Sequence, residues 1–463
     1  MLILLKTLGC KANRYESDKL VCALKKKHEV LESGHPRFRT KNIDSLLPDI
    51  LVVNTCTVTQ VADRKSRQAI YGIKHLYPDC KVIVFGCGSN VSSEEYKKLE
   101  GVDFVAKDVK EVLEIVEGLE SRHPRFSRGS VGGGGTNDTS RTRALLKIQD
   151  GCNNFCSYCI IPRARGPENS FPSRELIKEA QHLEKQGYKE IVLTGINIGE
   201  WGEDIDSRRS LCRVRCGNDN EKRGNDRLNI ADLIELLIQK TKSVHFRVSS
   251  IEPKNFSPKF YKLFKTGRLC THMHIALQSG CDSVLKRMRR NYCTKEFFDI
   301  CEKFKKAIPD IGLTTDVIVG FPGETEKEFE KTCKFVQKIG FLKIHIFPYS
   351  KRKNTPAYYM KDQISESTKK LRAEKLRKIA EKMTSDFIKK LLGKTYEVLV
   401  ENPRGNFYKG FTSNYIPVKF SRNTSPDTSR SKSLAKKRIS ITLKSLQKDG
   451  TVLGEISNQP NRK

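Results

Sequence analysis

The sequence predicts a mixed α/β protein with three successive folded parts: a parallel sheet covered by helices, an incomplete (β/α)6 barrel and a small β-barrel. Short apolar runs alternate with helical stretches over residues 1–120 and again over about 143–350, the pattern of parallel sheets with helices on their faces. Beyond residue 393 only short β patterns separated by turns remain, which is typical of a small barrel. A chain of 463 residues is also long enough for about three domains.

The first part, residues 1–120, follows a βαβαβ order. Strands are predicted at LILLKTLG, DILVVNT and CKVIVFG, with helices at SDKLVCALKKK and RKSRQAIYGIKHLY between them. The following segment, 121–142, is rich in Gly, Ser and Arg, and such a composition indicates a flexible linker.

The second part, residues 143–364, contains six apolar strands with helical stretches between them. The strands are ALLKIQ, EIVLTG, HFRVSS, HMHIALQSG, TTDVIVG and KIHIFPYS. Six β/α units predict an incomplete barrel, in which chemistry is expected at the carboxyl ends of the strands. A polar insertion at about 203–227, which contains Cys212 and Cys216, is interpreted as a surface loop.

The third part consists of a connecting helix, 365–392, and a basic β-barrel, 393–463. The apolar residues expected on one face of the helix are Leu371, Leu376, Ile379, Met383, Phe387 and Leu391. Residues 393–463 contain 14 Lys and Arg against 5 Asp and Glu, a net charge of +9. This charge favours an RNA-binding surface, and a solvated tail is the alternative.

Composition limits the classes of function. The formal net charge of +32, from 86 basic and 54 acidic residues, favours a nucleic-acid partner, although solubility or a general basic bias is an alternative. No apolar run approaches the ~20 residues of a membrane span, and the start of the chain lacks a basic signal-peptide region. We therefore expect a cytoplasmic protein with no membrane contact. In a reducing compartment, 15 cysteines indicate metal ligands or reactive thiols rather than disulfides.

The stretch DGCNNFCSYCIIP places Cys152, Cys156 and Cys159 directly after the first barrel strand. Three thiolates at C-x3-C-x2-C spacing can hold three irons of a [4Fe–4S] cluster and leave the fourth iron open. An open metal position is typical of a catalytic site. Zinc with a remote fourth ligand, or buried structural cysteines, is the alternative interpretation.

A second set of three cysteines occurs in the first part. Cys10, Cys56 and Cys87 each follow the carboxyl end of a predicted parallel strand, so they are expected to meet at one edge of the sheet. This arrangement favours a second cluster, although small cysteines could also simply fit tight strand–helix turns. The residues expected to let the backbone approach this cluster are Gly9, Asn54, Thr55 and Gly86.

The motifs NTCTVT, DGCNNFCSYCIIPRARG and TDVIVGFPGET resemble the radical S-adenosylmethionine (SAM) methylthiotransferase family over nearly the full chain. The resemblance implies an N-terminal methylthiotransferase domain, a radical-SAM barrel, a TRAM-like β-barrel and two [4Fe–4S] clusters. One cluster is expected on Cys152, Cys156 and Cys159, where SAM chelates the open iron and yields a 5′-deoxyadenosyl radical. The other is expected on Cys10, Cys56 and Cys87, as a holder of sulfur. The implied reaction converts C–H to C–S–CH3, with a second SAM as methyl donor.

The same resemblance implies SAM contacts at the ends of successive strands. The motifs are TGINIG for the methionine amino group, VSSIEP, ALQSG for the ribose and VIVGFPGETE for the adenine. The residues implied are Thr194, Gly195, Asn197, Ser249, Glu252, Gln278, Val319 and Gly320.

The substrate implied by the segments GCKANRYESD and NTCTVTQVADRKSRQ is N6-threonylcarbamoyladenosine at tRNA position 37, next to the anticodon. The implied partners are the tRNA anticodon stem-loop and an electron donor such as flavodoxin or ferredoxin, and a monomer is expected. One departure concerns this substrate: ENSFPSRE follows ARGP, so only Arg174 remains of an arginine-rich stretch found in relatives that modify tRNA. The alternatives are modification of N6-isopentenyladenosine, a radical enzyme without sulfur insertion, and a non-catalytic basic RNA-binding metalloprotein.

Overall fold

The structure is a computed structural model that describes residues 1–32, 47–121, 141–204, 227–401, 403, 405–421 and 434–457. The chain divides into two compact units. The first combines 1–137, 151–167 and 350–359, and the second combines 138–150, 168–349 and 360–463. Most of the predicted linker and of the polar insertion, including Cys212 and Cys216, lies outside the described residues. The domain boundaries expected from the sequence stay predictions.

The first unit is built on one parallel sheet. Its strands are β1 (Leu2–Thr7), β2 (Glu29–Glu32), β3 (Ile50–Thr55), β4 (Lys81–Gly86) and β5 (Phe104–Val105). Its helices are α1 (Lys11–Leu24), α2 (Gln60–Leu76), α3 (Cys87–Val91), α4 (Ser93–Lys97), α5 (Val109–Ser121) and α6 (Ile161–Arg165), with a 3-10 turn at Pro356–Tyr359. The strand order is β2-β1-β3-β4-β5.

The three strands predicted for the N-terminal part form the centre of this sheet, and both edge strands were missed. Strand β2 has four residues with a charged residue at each end, and β5 has two, so neither produces a periodic apolar signal. Alternate residues of the central strands enter separate cores on the two faces: Val52 lies in one and Val53 in the other. Helices therefore cover both faces, and the carboxyl ends of β1, β3 and β4 lie side by side.

Apart from the C-terminal barrel, the second unit contains parallel strands and two short antiparallel pairs. They are β6 (Ala144–Lys147), β7 (Gln149–Asp150), β8 (Asn169–Ser170), β9 (Glu190–Thr194), β10 (Gly202–Asp204), β11 (Arg227–Asn229), β12 (His245–Val248), β13 (Ser250–Ile251), β14 (His272–Ile275), β15 (Gly312–Val319) and β16 (Lys343–Pro348). The helices are α7 (Ser173–Lys185), α8 (Ile230–Lys240), α9 (Pro258–Leu263), α10 (Asp282–Arg287), α11 (Thr294–Ala307), α12 (Glu326–Ile339) and α13 (Glu366–Lys389). Short 3-10 turns lie at Ile198–Glu200, Pro253–Asn255 and Phe264–Thr266.

All six strands predicted for the incomplete barrel are present. They pair in parallel and in chain order, as β6-β9-β12 and as β13-β14-β15-β16. Helices begin where capping residues predict, for example at Asn229 before α8 and Thr325 before α12, each in a capping box. One core of aliphatic and aromatic residues, including Trp201, Phe246 and Phe329, joins strands and helices. The α/β fold class and the incomplete barrel are confirmed.

The C-terminal strands form the predicted small barrel. They are β17 (Thr395–Val400), β18 (Phe407–Thr412), β19 (Pro417–Ser421), β20 (Arg438–Leu446) and β21 (Val452–Ile456). The order β17-β18-β19-β21-β20 closes on itself, with every pair antiparallel except β19-β21. Closure removes the unpaired edges that an open five-stranded sheet would expose.

Helix α13 contributes to two cores, and one residue expected on its buried face was wrongly placed. Leu376 packs in the core of the parallel strands, whereas Ile388 and Leu391 pack in the β-barrel core. Leu371 is 67% exposed, so its prediction as a packing residue was wrong. A step of five residues, from Leu371 to Leu376, rotates about 140° around a helix and leaves the face.

Within the described ranges, no helix is both long enough and apolar enough to cross a membrane.

A buried carboxylate joins the small barrel to the parallel strands. Glu190, at the start of β9, is 1% exposed and contacts three arginines. Its Oε1 accepts from Arg143 Nε at 2.9 Å and Arg247 Nε at 2.7 Å, and its Oε2 accepts from Arg438 Nη2 at 3.3 Å. Desolvation raises the pKa of Glu190, but the three guanidinium groups outweigh it and lower the pKa to about 2.

Replacing this carboxylate should destabilise the second unit. Glu190→Gln leaves buried arginines without their counter-charge, and we expect a loss of about 3–5 kcal/mol in unfolding free energy. Because the folded-state pKa is depressed, the wild-type contribution is present above the unfolded pKa of about 4.3 and is lost as pH falls towards about 2. Urea unfolding of Glu190→Gln at several pH values measures both effects, with exposed Glu374→Gln as the control. Equal midpoints for Glu190→Gln and wild type would contradict the prediction.

Candidate functional site

The structure brings the three strand-end cysteines of the first unit together. Cys10 immediately precedes α1, Cys56 immediately follows β3, and Cys87 is the first residue of α3 after β4. Because β1, β3 and β4 are neighbouring parallel strands, all three cysteines lie at the same edge of the sheet. Cys10 is exposed, and Cys56 and Cys87 are buried.

One buried asparagine and one glycine show how closely the three thiols approach. The Oδ1 of Asn13, a residue fully removed from solvent, lies 3.5 Å from Cys10 Sγ and 3.7 Å from Cys87 Sγ. A Cβ added to Gly9 would lie 3.1 Å from Cys56 Sγ. Asn13 was not predicted as a site residue, although it stands three residues after Cys10 near the start of α1.

Backbone and side-chain contacts hold this edge of the sheet rigidly. Asn13 Nδ2 donates to Asn54 Oδ1 at 2.9 Å and to the Thr55 carbonyl at 2.9 Å. Gly9 and Gly86 have φ of +108° and +101°, values that favour glycine. A Cβ on Gly86 would also lie 2.4 Å from Asn54 Oδ1. Gly9, Asn54, Thr55 and Gly86 are thus closely packed at this edge, and their predicted approach to a cluster stays a prediction.

Burial makes two of these thiols poor thiolates without a counter-charge. Desolvation raises the pKa of Cys56, and it raises the pKa of Cys87 to about 12. The cation nearest to Cys87 is Arg165, whose Nε donates to Cys87 Sγ at 3.2 Å. Cationic iron bound to the sulfurs would supply the missing positive charge, so this donor set fits an iron–sulfur cluster.

The loop with the other three cysteines belongs to the same compact unit. Cys156 is buried, whereas Cys152 and Cys159 are half-buried. The Cys159 amide donates to the Cys156 carbonyl at 3.0 Å, which closes a tight turn between these two cysteines. Gly151 precedes the loop with φ of +67°, and a Cβ there would lie 1.8 Å from the carbonyl oxygen of Pro167. The loop entrance therefore requires glycine.

Neither cysteine set has the geometry of a mononuclear zinc site. Within the part of the chain that the structure describes, no three His, Cys, Asp or Glu side chains converge tightly enough to bind one metal ion. In a zinc site all ligand atoms lie about 2.0–2.3 Å from the same ion, whereas the thiolates of a [4Fe–4S] cluster bind different irons and lie farther apart. Metal analysis of the purified protein distinguishes the two kinds of site.

The residues expected to contact SAM lie in the second unit, at the carboxyl ends of successive parallel strands. Thr194 ends β9 and Val319 ends β15, with Gly195 and Gly320 directly after them. Ser249 lies between β12 and β13, Glu252 follows β13, and Gln278 follows β14 with φ of +66°. The SAM-contact roles of these residues stay predictions.

Asn197 has the character of a ligand-binding residue. It is 4% exposed, yet neither its Oδ1 nor its Nδ2 has a hydrogen-bond partner among the described residues. Its backbone is held in place because Gln149 Oε1 accepts from the amides of Ile196 at 3.1 Å and Asn197 at 2.8 Å. A buried amide without a partner is costly, and a polar ligand would satisfy it.

Two ion pairs that the sequence analysis missed fix other predicted SAM contacts. Glu252 pairs with Arg290 at 2.9 Å, and both side chains are largely buried. Glu324 Oε2 accepts from the Gly320 amide at 2.6 Å and from Arg372 Nη1 at 2.9 Å. Burial raises the pKa of Glu324 to about 7 despite the arginine. Glu324 stands in the motif GFPGE, which the sequence had marked. Nothing in the sequence indicated that Arg290 and Arg372 would pair with Glu252 and Glu324.

Comparisons with known proteins identify related families and relatives. A family described as "Radical SAM superfamily" matches residues 146–336, and one described as "Uncharacterized protein family UPF0004" matches residues 3–107. The solved structure of the radical S-adenosylmethionine methyltransferase TsrM from Kitasatospora setae matches with a TM-score of 0.54 and 14% identity, covering 77% of this chain and 76% of that chain. At that identity the likeness concerns the fold alone.

Three relatives cover most of the chain. A protein named threonylcarbamoyladenosine tRNA methylthiotransferase MtaB from Bacillus subtilis (strain 168) is 37% identical, with 89% of each chain covered. The protein of the same name from Thermotoga maritima is 32% identical, with 86% of each chain covered. A tRNA-2-methylthio-N(6)-dimethylallyladenosine synthase from Clostridium tetani is 31% identical, with 87% of this chain and 86% of that protein covered.

Proposed function

This chain belongs to the radical SAM methylthiotransferase family and is a tRNA-modifying enzyme of that family, and from this premise we propose its substrate and its second cofactor. The proposed substrate is N6-threonylcarbamoyladenosine at position 37 of the anticodon stem-loop, converted to its 2-methylthio derivative. The proposed second cofactor is a [4Fe–4S] cluster held by Cys10, Cys56 and Cys87, in addition to the cluster and SAM that the family uses.

The observation that carries this proposal is that two separate sets of three cysteines belong to one compact unit. Hydrogen abstraction alone requires only the set Cys152, Cys156 and Cys159. The second set also has a defined arrangement. Its thiols are grouped around Asn13 and Gly9, and its turns depend on glycine. A second site is expected where the reaction also needs a sulfur source.

The protein's own residues bind and orient the reactants. When bound, the clusters and SAM supply the substrate radical, the sulfur and the methyl group. The proposed role of Asn197 is to hydrogen-bond the amino acid part of SAM, because its amide is buried and lacks a partner among the described residues. The strand ends at Thr194, Gln278 and Gly320 would fix the rest of that molecule. The proposed electron donor is a small redox protein such as flavodoxin or ferredoxin.

The relatives supply the basis for the modified nucleoside. Those named for threonylcarbamoyladenosine reach 37% identity, and one named for dimethylallyladenosine reaches 31%. The second candidate substrate is therefore N6-isopentenyladenosine. The enzyme, reconstituted without oxygen and supplied with SAM and a reductant, should be given tRNA carrying either nucleoside, and the products separated by mass spectrometry. A 2-methylthio product from the isopentenyl tRNA alone would replace the proposed substrate with the second candidate.

A cavity in the second unit supports RNA binding. It has a volume of about 780 Å³ and lies among β16, α13 and the C-terminal barrel. Three cationic side chains line it, Lys343, Arg377 and Lys448, together with the carboxylates Glu381 and Asp449 and with Phe347, which is 44% exposed. Cationic side chains attract phosphates, and an exposed aromatic ring can stack on an unpaired base. We propose that single-stranded RNA of the anticodon loop contacts this cavity.

Neutralising one cavity cation should weaken tRNA binding. Arg377→Gln removes one phosphate contact, so we expect about three- to tenfold weaker binding of an anticodon stem-loop RNA at moderate salt, with a smaller salt dependence. Fluorescence anisotropy at several salt concentrations measures both effects. Lys378→Gln is the matched control, because Lys378 is exposed on the same helix and does not line the cavity. Equal losses for the two variants would show that only general charge is involved.

A further inference from the structure

Arg165 lies between the two cysteine sets. It is the last residue of α6, six residues after Cys159, and its side chain is only 6% exposed. Its Nε donates to Cys87 Sγ at 3.2 Å, so a residue of one cysteine loop contacts a thiol of the other set. An ion pair with Glu16 alone would stabilise the fold without any contact to sulfur. The hydrogen bond to Cys87 therefore suggests a role that involves the thiol.

The remaining nitrogens of Arg165 fix the direction of that hydrogen bond. Nη1 donates to Glu16 Oε1 at 2.7 Å, and Nη2 donates to Asn13 Oδ1 at 2.7 Å and to Glu16 Oε2 at 3.3 Å. Because the guanidinium is planar and rigid, clamping both Nη atoms leaves Nε–H directed at the sulfur. Asn13 Oδ1 in turn lies next to Cys10 Sγ and Cys87 Sγ. The hydrogen bonds of Arg165 and Asn13 together therefore involve two of the three thiols.

A second contact holds the same two helices together. Asn90 Nδ2, in the helix that begins with Cys87, donates to the Ala164 carbonyl at 3.3 Å. Helix α6 is therefore attached to α3 through both Ala164 and Arg165. The spacing between the two cysteine sets is thus fixed by a short helix anchored at its carboxyl end.

We propose that Arg165 is a positioning residue for the cluster on Cys10, Cys56 and Cys87, and that its Nε–H hydrogen bond to the Cys87 sulfur raises the reduction potential of that cluster. Hydrogen bonds and positive charge near ligating sulfurs favour the more negative, reduced form of a cluster. The contact also holds the cluster at a set distance from the loop with Cys152, Cys156 and Cys159. This inference rests on the proposed function, because it requires the second cluster.

The test uses the full chain with Cys152, Cys156 and Cys159 replaced by alanine, so that only the second cluster forms. Arg165→Gln, Arg165→Lys and Arg163→Gln are added to this parent, which is reconstituted anaerobically with iron and sulfide. Arg163 is the matched control, because it is exposed in the same helix. Iron per chain is measured, and the midpoint potential of the cluster is followed by electron paramagnetic resonance.

The expected result is a parent with about four irons and an Arg165→Gln variant that retains them with a lower potential. We expect about a tenfold fall in the equilibrium constant for one-electron reduction, which corresponds to about 59 mV. Arg165→Lys keeps the positive charge but lacks the planar guanidinium that directs several hydrogen bonds at once. The cluster potential of this variant should therefore lie between those of the parent and the glutamine variant. Arg163→Gln should match the parent.

Each other outcome has a defined meaning. An Arg165→Gln potential equal to that of the parent, or an equal shift in Arg163→Gln, overturns the inference alone. If Arg165→Gln loses its iron, Arg165→Lys decides: a potential below that of the parent supports the inference, and a potential equal to or above the parent's, or loss of iron, overturns it. A parent that binds no iron refutes the second cluster, and with it both the proposed function and this inference.

Discussion

Simultaneous replacement of Cys152, Cys156 and Cys159 by alanine is expected to lower the iron content of the reconstituted protein from about eight to about four atoms per chain. It should also abolish cleavage of SAM and with it all product formation. The physical reason is that these three cysteines are the predicted iron ligands of their loop, so their removal should prevent formation of the open iron expected to chelate SAM. Iron and sulfide assays together with 5′-deoxyadenosine detection measure both effects.

The control for this triple variant is Cys22→Ala, which changes an exposed cysteine of the same unit outside both sets. It should retain about eight irons and full cleavage of SAM. Two results would contradict the assignment: an unchanged iron content in the triple variant, or zinc in place of iron in the wild type. The second result would leave a basic RNA-binding metalloprotein as the remaining interpretation.

Replacing Cys56 alone should abolish formation of the methylthio product while leaving cleavage of SAM intact. Cys56→Ala removes one ligand of the proposed second cluster, and no other thiol of that edge is free to replace it, because Cys10 and Cys87 are already members of the set. We expect SAM to be cleaved to 5′-deoxyadenosine at a rate close to that of the wild type. Formation of the methylthio product should fall below detection, which nucleoside mass spectrometry can measure.

Cys80→Ala is the matched control for Cys56→Ala. Cys80 is also buried in the first unit, but it lies at the amino end of β4, on the opposite side of the sheet from the cluster edge. Both substitutions remove the same sulfur from a buried site, so loss of packing affects them similarly. If Cys56→Ala still makes the methylthio product, the second cysteine set is not the source of sulfur.

The sequence was most informative where the signal is local. Parallel strands with long apolar runs, such as ILVVNT and GLTTDVIV, were found within a few residues of their true bounds. The six cysteines of the two sets stood out because each follows a strand or stands at a short fixed spacing from the next, and their role as cluster ligands stays a prediction. Strands β2 and β5 escaped detection because two to four residues cannot establish a period.

The supporting residues of the site could not be predicted in the same way. Arg165 and Asn13 are 152 positions apart, and only the fold shows that they share a hydrogen bond. Their proximity to Cys159 and Cys10 in the sequence was a signal that could have marked them for attention. Arg290 and Arg372 gave no such signal, because each pairs with a carboxylate on a different element. Long-range polar pairing of this kind leaves no periodic trace in a single sequence.

The first compact unit is discontinuous along the chain, and this affects how it can be made. A ribosome that has synthesised residues 1–150 has produced all three strand-end cysteines but not Arg165, which contacts one of them. The segment 350–359 appears later still, and its residues Arg352, Ser350 and Ala357 contact Thr57, Gln60 and Ser157, respectively. This edge of the sheet therefore reaches its final structure only late in biosynthesis, and the N-terminal sheet on its own lacks the contacts that Arg165 and the segment 350–359 supply.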